Sequence, residues 1–315
     1  MSSQQHNTPN DCYGHPHSDA KHSHAPGSFG LAFAIGITLN LGFVILEVVY
    51  GVFAHSLALV ADAGHNLGDV LGLLLAWCAT FLARTVPTDR HTYGLRSSSI
   101  LAALFNAIFL LITVGAIAWE AIRRFGDPTV VEARTVIWVA VIGIFINAVT
   151  ALMFMSGRKR DLNIRAAFMH MAADAGVSLG VVIAGFLIMA TGLLWIDPAI
   201  SLVIAGVITW GTWGLLRDSA NLALHAVPQG IEVAEVRQYL SSLPHVTAVH
   251  DLHVWPMSTT ETALTAHLVR DVGDCDCALL DRAARELHLK FEIQHATLQF
   301  ETADHRCQLA PDEQV

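Results

Sequence analysis

The sequence carries little charge. Asp, Glu, Lys and Arg make up only 14% of its 315 residues, whereas 53% of the residues are hydrophobic. Because soluble domains contain about 25% charged residues, this composition excludes an ordinary soluble protein and predicts an integral membrane protein. The formal net charge of −9 also excludes nucleic acid as a partner, since a phosphate backbone attracts basic surfaces.

Disulfides and catalytic zinc motifs are lacking as well. Of the five cysteines, Cys78 lies in an apolar run, and the others lie in segments that we expect in the cytosol, where thiols stay reduced. These others are Cys12, Cys275, Cys277 and Cys307. The absence of an HExxH motif argues against a zinc hydrolase. We therefore expect neither enzyme activity nor a resident cofactor.

Six apolar stretches are long enough to cross a bilayer. They are Phe29–Phe53, Leu57–Leu82, Ser98–Ala121, Val131–Met155, Ile164–Thr191 and Pro198–Leu222. The loops after the second and fourth stretches carry clusters of Arg and Lys, and basic loops remain cytoplasmic. We therefore predict a transmembrane domain over residues 29–226 with six helices and both termini in the cytoplasm. We expect the membrane to be the bacterial inner (plasma) membrane, which the charge pattern does not itself indicate.

The remaining segments have the composition of cytosolic parts. Residues 1–28 contain five histidines among polar residues, which predicts a disordered tail that either captures metal loosely or is merely polar. Residues 227–302 show the order helix–strand–strand–helix–strand and predict a small α+β domain. Its predicted elements are Ile231–Leu243, Val246–Val254, Thr262–Arg270, Cys277–Leu289 and Phe291–Glu301. Residues 303–315 form a C-terminal tail.

One four-residue spacing occurs twice inside the apolar stretches. His65 precedes Asp69 in the second stretch, and His170 precedes Asp174 in the fifth. Residues four apart share a helix face, so each helix presents one imidazole and one carboxylate. Ionisable groups within a membrane are costly and usually functional. Two such faces together would supply the four N and O ligands of a tetrahedral zinc-type site.

Several further motifs make the chain similar to the cation diffusion facilitator family, in its zinc-transporting branch. They include DAGHNLGD (62–69), HTYGLR (91–96), HMAAD (170–174), WIDPAISLVIA (195–205), VHDLHVW (249–255) and HATLQFE (295–301). The resemblance implies metal/proton antiport out of the cytoplasm by a homodimer. It also implies a ferredoxin-like fold for the cytosolic domain.

The resemblance also implies the site residues. The transport site is His65, Asp69, His170 and Asp174. In the cytosolic domain, His250, His267, His295 and Glu301 match family positions for regulatory zinc. For these histidines a place in the core or at an interface is the alternative interpretation.

The proposed transport ligands favour an exchange mechanism. Imidazole binds metal only when neutral and a carboxylate only when ionised, so metal and protons compete for the same groups. We expect an antiporter that exports Zn²⁺, and to a lesser degree Co²⁺ or Cd²⁺, with Zn²⁺ as substrate and with protons, membrane lipid and a second copy of the chain as partners. A metal-selective channel and a membrane-bound metal sensor are the alternatives.

Overall fold

The structure is a computed structural model. It describes residues 31–83, 85–155, 162–271 and 277–302; side chains are described from Thr38 onward, except at a few positions of α2 and from residue 153 to 170. The predicted tails, residues 1–28 and 303–315, lie outside the described residues, as do most of the basic residues of the loop after the fourth stretch. The chain divides into two compact units, one formed by residues 29–227 with 256–260, the other containing residues 228–255 and 261–302.

The first unit is built from six long helices. They are α1 (Leu31–Phe53), α2 (Leu57–Ala83), α3 (Ser98–Gly126), α4 (Ala133–Met155), α5 (Leu162–Thr191) and α6 (Ile196–Ala223). Each has at least 23 residues, which at about 1.5 Å per residue exceeds the roughly 30 Å of a hydrocarbon core. Within the described residues, four helical segments, in α3, α4, α5 and α6, meet the length and hydropathy expected of a membrane span.

Glycines let these helices approach closely. A Cβ atom at Gly68 of α2 would come within 2.0 Å of Leu110 Cδ2 on α3, and one at Gly143 of α4 within 2.4 Å of Phe43 Cζ on α1. Helix contacts in membranes depend on such small residues because close backbone packing replaces the hydrophobic effect. Gly68 precedes Asp69 directly, so this close contact fixes the part of α2 that carries His65 and Asp69.

The start of α2 is capped by a residue from a distant helix. Asp197 of α6 accepts hydrogen bonds from the backbone N of Leu57 at 2.8 Å and of Ala58 at 3.3 Å. Ser56 Oγ also donates to Asp197 Oδ1 at 2.6 Å. The carboxylate satisfies amide groups that a helix N-terminus leaves without partners, and it thereby fixes α2 relative to α6.

The second unit is a helix-covered sheet. Its elements are α7 (Val233–Ser241), β1 (Val246–Pro256), β2 (Thr262–Arg270), α8 (Cys277–Phe291) and β3 (His295–Thr302). The strand order is β1-β2-β3, and β2 and β3 are parallel, with α8 as the crossover. The core is formed by apolar side chains of α7, α8 and the strands, among them Val236, Leu240, Leu264, Leu268, Leu279, Leu287 and Ile293.

The last strand begins later than the sequence predicts. Phe291, predicted as its first residue, is instead the last residue of α8, where its ring packs 5.8 Å from that of Tyr239. Glu292 has a φ of +55°, which ends the helix. The apolar alternation around residue 291 fits both a strand and the end of an amphipathic helix, and packing on α7 selects the helix.

Candidate functional site

Three of the four predicted transport ligands form one cluster. His65 Nε2 on α2 lies 3.7 Å from Asp69 Oδ2 on the same helix and 3.5 Å from Asp174 Oδ1 on α5. One ligand atom from each residue lies within 4.8 Å of the other two. The side chain of Asp174 is 4% exposed, and those of His65 and Asp69 are about a quarter exposed. This arrangement could hold a single divalent cation.

The geometry of the cluster follows from helix periodicity. His65 and Asp69 are one turn apart on α2, which places both side chains on the same face. Asp174 comes from α5 and packs against that face. His170 lies one turn before Asp174 on α5, but its side chain is outside the described residues. Its place as fourth ligand therefore stays a prediction.

A second layer of polar residues lies beside the cluster. Asn66 Nδ2 donates to Glu47 Oε2 of α1 at 2.8 Å, and Ser178 Oγ of α5 donates to Asp62 Oδ2 of α2 at 3.1 Å. Glu47 and Asp62 are both 0% exposed. These bonds link α1, α2 and α5 through polar side chains. The sequence indicates Glu47 as a residue that hydrogen-bonds between helices and Asp62 as a polar residue beside the ligands, and both bonds agree with this. The donors Asn66 and Ser178 were not predicted, although each follows an acidic residue of α2 or α5 by four positions.

A cluster of similar composition lies in the cytosolic unit. The Glu301 carboxylate of β3 lies against two histidines: its Oε1 is 2.9 Å from His267 Nδ1 of β2, and its Oε2 is 3.3 Å from His250 Nε2 of β1. The His250 and His267 rings meet edge to face with centroids 5.2 Å apart. His250 Nε2 is buried and, among the described residues, its contact with Glu301 is not a hydrogen bond, so this nitrogen could bind a cation. The three side chains can offer two nitrogens and a carboxylate.

His295 does not join this cluster. It begins β3, where it pairs with Ala263, whereas Glu301 pairs with Val269 near the other end. Six residues of strand correspond to about 20 Å. His295 and Glu301 begin and end the HATLQFE motif, but the extended strand between them keeps the two side chains apart within one chain.

Asp251 is a cytosolic residue that sequence analysis missed. Its Oδ2 lies 3.5 Å from His267 Nε2, and its Oδ1 lies 2.8 Å from His253 Nε2. Strict strand alternation would place Asp251 on the face opposite to His250. A φ of +50° at Asp251 breaks that alternation. His250 and Asp251 are consecutive in β1, and as a result both contact His267. No composition or spacing signal marks this backbone conformation.

Comparison with known proteins agrees with both units. The model of the cation efflux transmembrane domain matches residues 33–222, and that of the cation efflux protein cytoplasmic domain matches residues 228–303. The zinc transporter ZitB of Escherichia coli is 38% identical over 293 residues, which cover 91% of this chain and 92% of ZitB. The metal cation efflux system protein CzcD of Cupriavidus metallidurans is 36% identical over 286 residues, 90% of each chain.

A third relative is named for several metals. The cadmium, cobalt and zinc/H(+)-K(+) antiporter of Bacillus subtilis is 31% identical over 290 residues, which cover 90% of this chain and 93% of the relative. These matches confirm the resemblance seen in the sequence and the fold class of six membrane helices followed by a small α+β domain. The chain is an integral membrane protein and belongs to the cation efflux, or cation diffusion facilitator, family.

Proposed function

We propose that this protein is a metal/proton antiporter that exports Zn²⁺ from the cytoplasm through the site on α2 and α5. The observation that carries the proposal is the contact of His65 with Asp69 and Asp174 inside the helical unit. An imidazole and two carboxylates would not be kept together in a membrane without a function, because their desolvation is costly. The protein's membership in the cation efflux family makes metal efflux its activity.

The ligand chemistry favours zinc. With His170 as the fourth donor, the site would be a His₂Asp₂ set, which suits tetrahedral Zn²⁺. Co²⁺ accepts the same ligands and geometry, and the Irving–Williams trend in affinity gives it no advantage over Zn²⁺. Cd²⁺ is softer and prefers thiolates, which the cluster lacks. The relatives' names mention zinc in one case and cadmium, cobalt and zinc in another, and we extend this range to the present chain with zinc preferred.

Proton coupling follows from the same ligands. Zn²⁺ can bind only when the imidazoles are neutral and the carboxylates ionised. Cytoplasmic metal therefore displaces protons, and protons from the other side displace metal when the site opens there. Export against a metal gradient would draw its free energy from the proton gradient.

The cytosolic unit adds dimerisation and sensing. The family model that matches it bears the name of a dimer domain, and a unit of about 75 residues is only marginally stable alone. We propose a homodimer in the bacterial inner membrane with both termini in the cytoplasm. The cluster of His250, His267 and Glu301 would bind regulatory Zn²⁺; His295 would join it only from a second copy of the chain.

The decisive experiment uses purified protein in proteoliposomes. A zinc indicator and a pH indicator inside the vesicles should report Zn²⁺ entry together with proton exit, and an imposed pH gradient should change the rate. Zinc movement without proton movement would support a metal-selective channel. Zinc binding without transport would support a membrane-bound sensor. Hydrolysis of a substrate with no zinc movement would indicate an enzyme.

A further inference from the structure

Two carboxyl groups face each other within the helical unit, apart from the proposed ligands. Glu47 on α1 and Asp62 on α2 are both 0% exposed, and each carboxyl lies within hydrogen-bonding reach of the other. Asn66 donates a hydrogen bond to the Glu47 carboxyl, and Ser178 donates one to the Asp62 carboxyl. The pair is therefore fixed in place from α2 and α5.

Two ionised carboxylates cannot hydrogen-bond to each other. A carboxylate only accepts hydrogen bonds, and a bond between two carboxyl groups requires a proton on one of them. A second carboxylate in the same buried site also disfavours ionisation of the first. Glu47 Oε1 and Asp62 Oδ1 receive no hydrogen bond from another group of the described residues. One shared proton would satisfy both oxygens.

The described side chains of the helices that carry the pair and its hydrogen-bond donors include no fixed cation that could replace the proton. Helices α1 and α2 contain no Lys or Arg, and the described side chains of α5 contain none. Helix α4 carries Arg134 only in its first turn. The titratable groups that face the pair are His65 and Asp174. His65 is a metal ligand in our proposal, so its imidazole is neutral when metal is bound, and Asp174 adds negative charge.

We propose that Glu47 and Asp62 form a proton-binding site separate from the metal ligands, and that its proton is exchanged for the transported metal. This inference rests on the proposed antiport function. In the described arrangement one carboxyl holds the proton and the other accepts its hydrogen bond. When the proton leaves as H⁺, two carboxylates remain, and their added negative charge is balanced by the divalent cation at the neighbouring cluster.

Coupling requires no ligand common to both sites. Zn²⁺ beside the pair makes the two-carboxylate state more favourable, because the cation attracts both charges. By reciprocity, the proton on the pair weakens Zn²⁺ binding by the same factor. Entry of metal would thus expel the proton, and rebinding of the proton would promote metal release.

The test measures protons moved per zinc in proteoliposomes for wild type, Glu47→Gln, Asp62→Asn and Asp127→Asn. Asp127 is an exposed carboxylate beyond the end of α3 and serves as the control. Glutamine and asparagine keep the shape of the pair but cannot exchange its proton. We expect both variants of the pair to move fewer protons per zinc, by about one, while Asp127→Asn matches wild type. An unchanged ratio in both variants would overturn the inference.

The two proposals fail in distinguishable ways. If wild type moves zinc and no protons, the antiport function is wrong. If wild type is coupled and the pair variants are equally coupled, only the inference is wrong.

A second measurement does not depend on transport and therefore tests the inference even in variants that are inactive. Infrared difference spectroscopy on the purified full-length protein should show loss of a protonated-carboxyl signal when Zn²⁺ is added. That signal should be absent from the Glu47→Gln/Asp62→Asn double variant and present in Asp127→Asn. Its persistence in the double variant would overturn the inference.

Discussion

His65 Nε2 of α2 lies 3.5 Å from Asp174 Oδ1 of α5. This contact joins two helices that each carry one copy of the same motif, so the cation would be bound between two helices and not on one alone. A site shared by two helices can open to one side of the membrane and then to the other through small shifts of the helices at their contact.

The first prediction concerns the ligands. Alanine at His65, Asp69, His170 or Asp174 should abolish zinc transport, because each change removes one donor. Loss of a ligand should weaken Zn²⁺ binding by more than the roughly 10–100-fold seen when outer partners of a metal site are removed. Transport in proteoliposomes, normalised to the amount of reconstituted protein, measures the effect. His91→Ala, at an exposed histidine, is the control and should transport normally.

The second prediction concerns the cap of α2. Asp197→Ala should leave the backbone N of Leu57 and Ala58 without their acceptor. Loss of an N-cap costs about 1–2 kcal/mol, so the Tm of the detergent-solubilised protein should fall. Asp197→Asn keeps one acceptor oxygen and should lose less. Equal Tm values for wild type and Asp197→Ala would show that the cap does not stabilise the helical unit.

The third prediction uses the close contact between Gly68 and Leu110. Gly68→Ala would place a Cβ atom 2.0 Å from Leu110 Cδ2, and such overpacking costs about 1–3 kcal/mol. Displacement of α2 at this point should also reduce transport, since Asp69 is the next residue. Leu110→Ala should restore part of the transport in the Gly68→Ala background. A double variant no better than Gly68→Ala would indicate a cause other than the steric clash.

The fourth prediction concerns the cytosolic cluster. Glu301→Gln removes the carboxylate that contacts His250 and His267, but it lies outside the helical unit. The full-length protein should bind less Zn²⁺ per protomer at equilibrium and should still transport zinc, with altered dependence on zinc concentration. His288→Ala on the exposed side of α8 is the matched control. Unchanged zinc stoichiometry in Glu301→Gln would make the cluster a purely structural network.

Local spacing predicted the parts of the molecule that depend on one helix at a time. His65 and Asp69 share a face because of the α-helical repeat, and the repeated motif predicted the contact with Asp174 on α5. The proximity of Glu47 to Asp62 was not predictable, because it depends on how α1 is rotated against α2. Apolar residues surround both carboxyls in the sequence, and no local pattern indicates which neighbour each one meets.

The cytosolic unit shows the same limit. The order of helices and strands follows from apolar periodicity, and it places His250, His267 and Glu301 on three adjacent strands. The backbone turn at Asp251 is a single-residue departure from strand geometry. It results from the packing of the whole sheet, which the residues around Asp251 do not encode alone.

The last prediction concerns metal selectivity. His65→Asp should increase transport of Cd²⁺ relative to Zn²⁺, because a third carboxylate suits the larger ion and one imidazole, a preferred zinc ligand, is lost. His65→Asn has the same size as the aspartate but no charge, and it should reduce transport of both metals. Uptake of each metal by proteoliposomes, alone and in competition, measures the ratio. If His65→Asp transports both metals in the wild-type ratio, the imidazole does not set selectivity, and the spacing between α2 and α5 would have to do so.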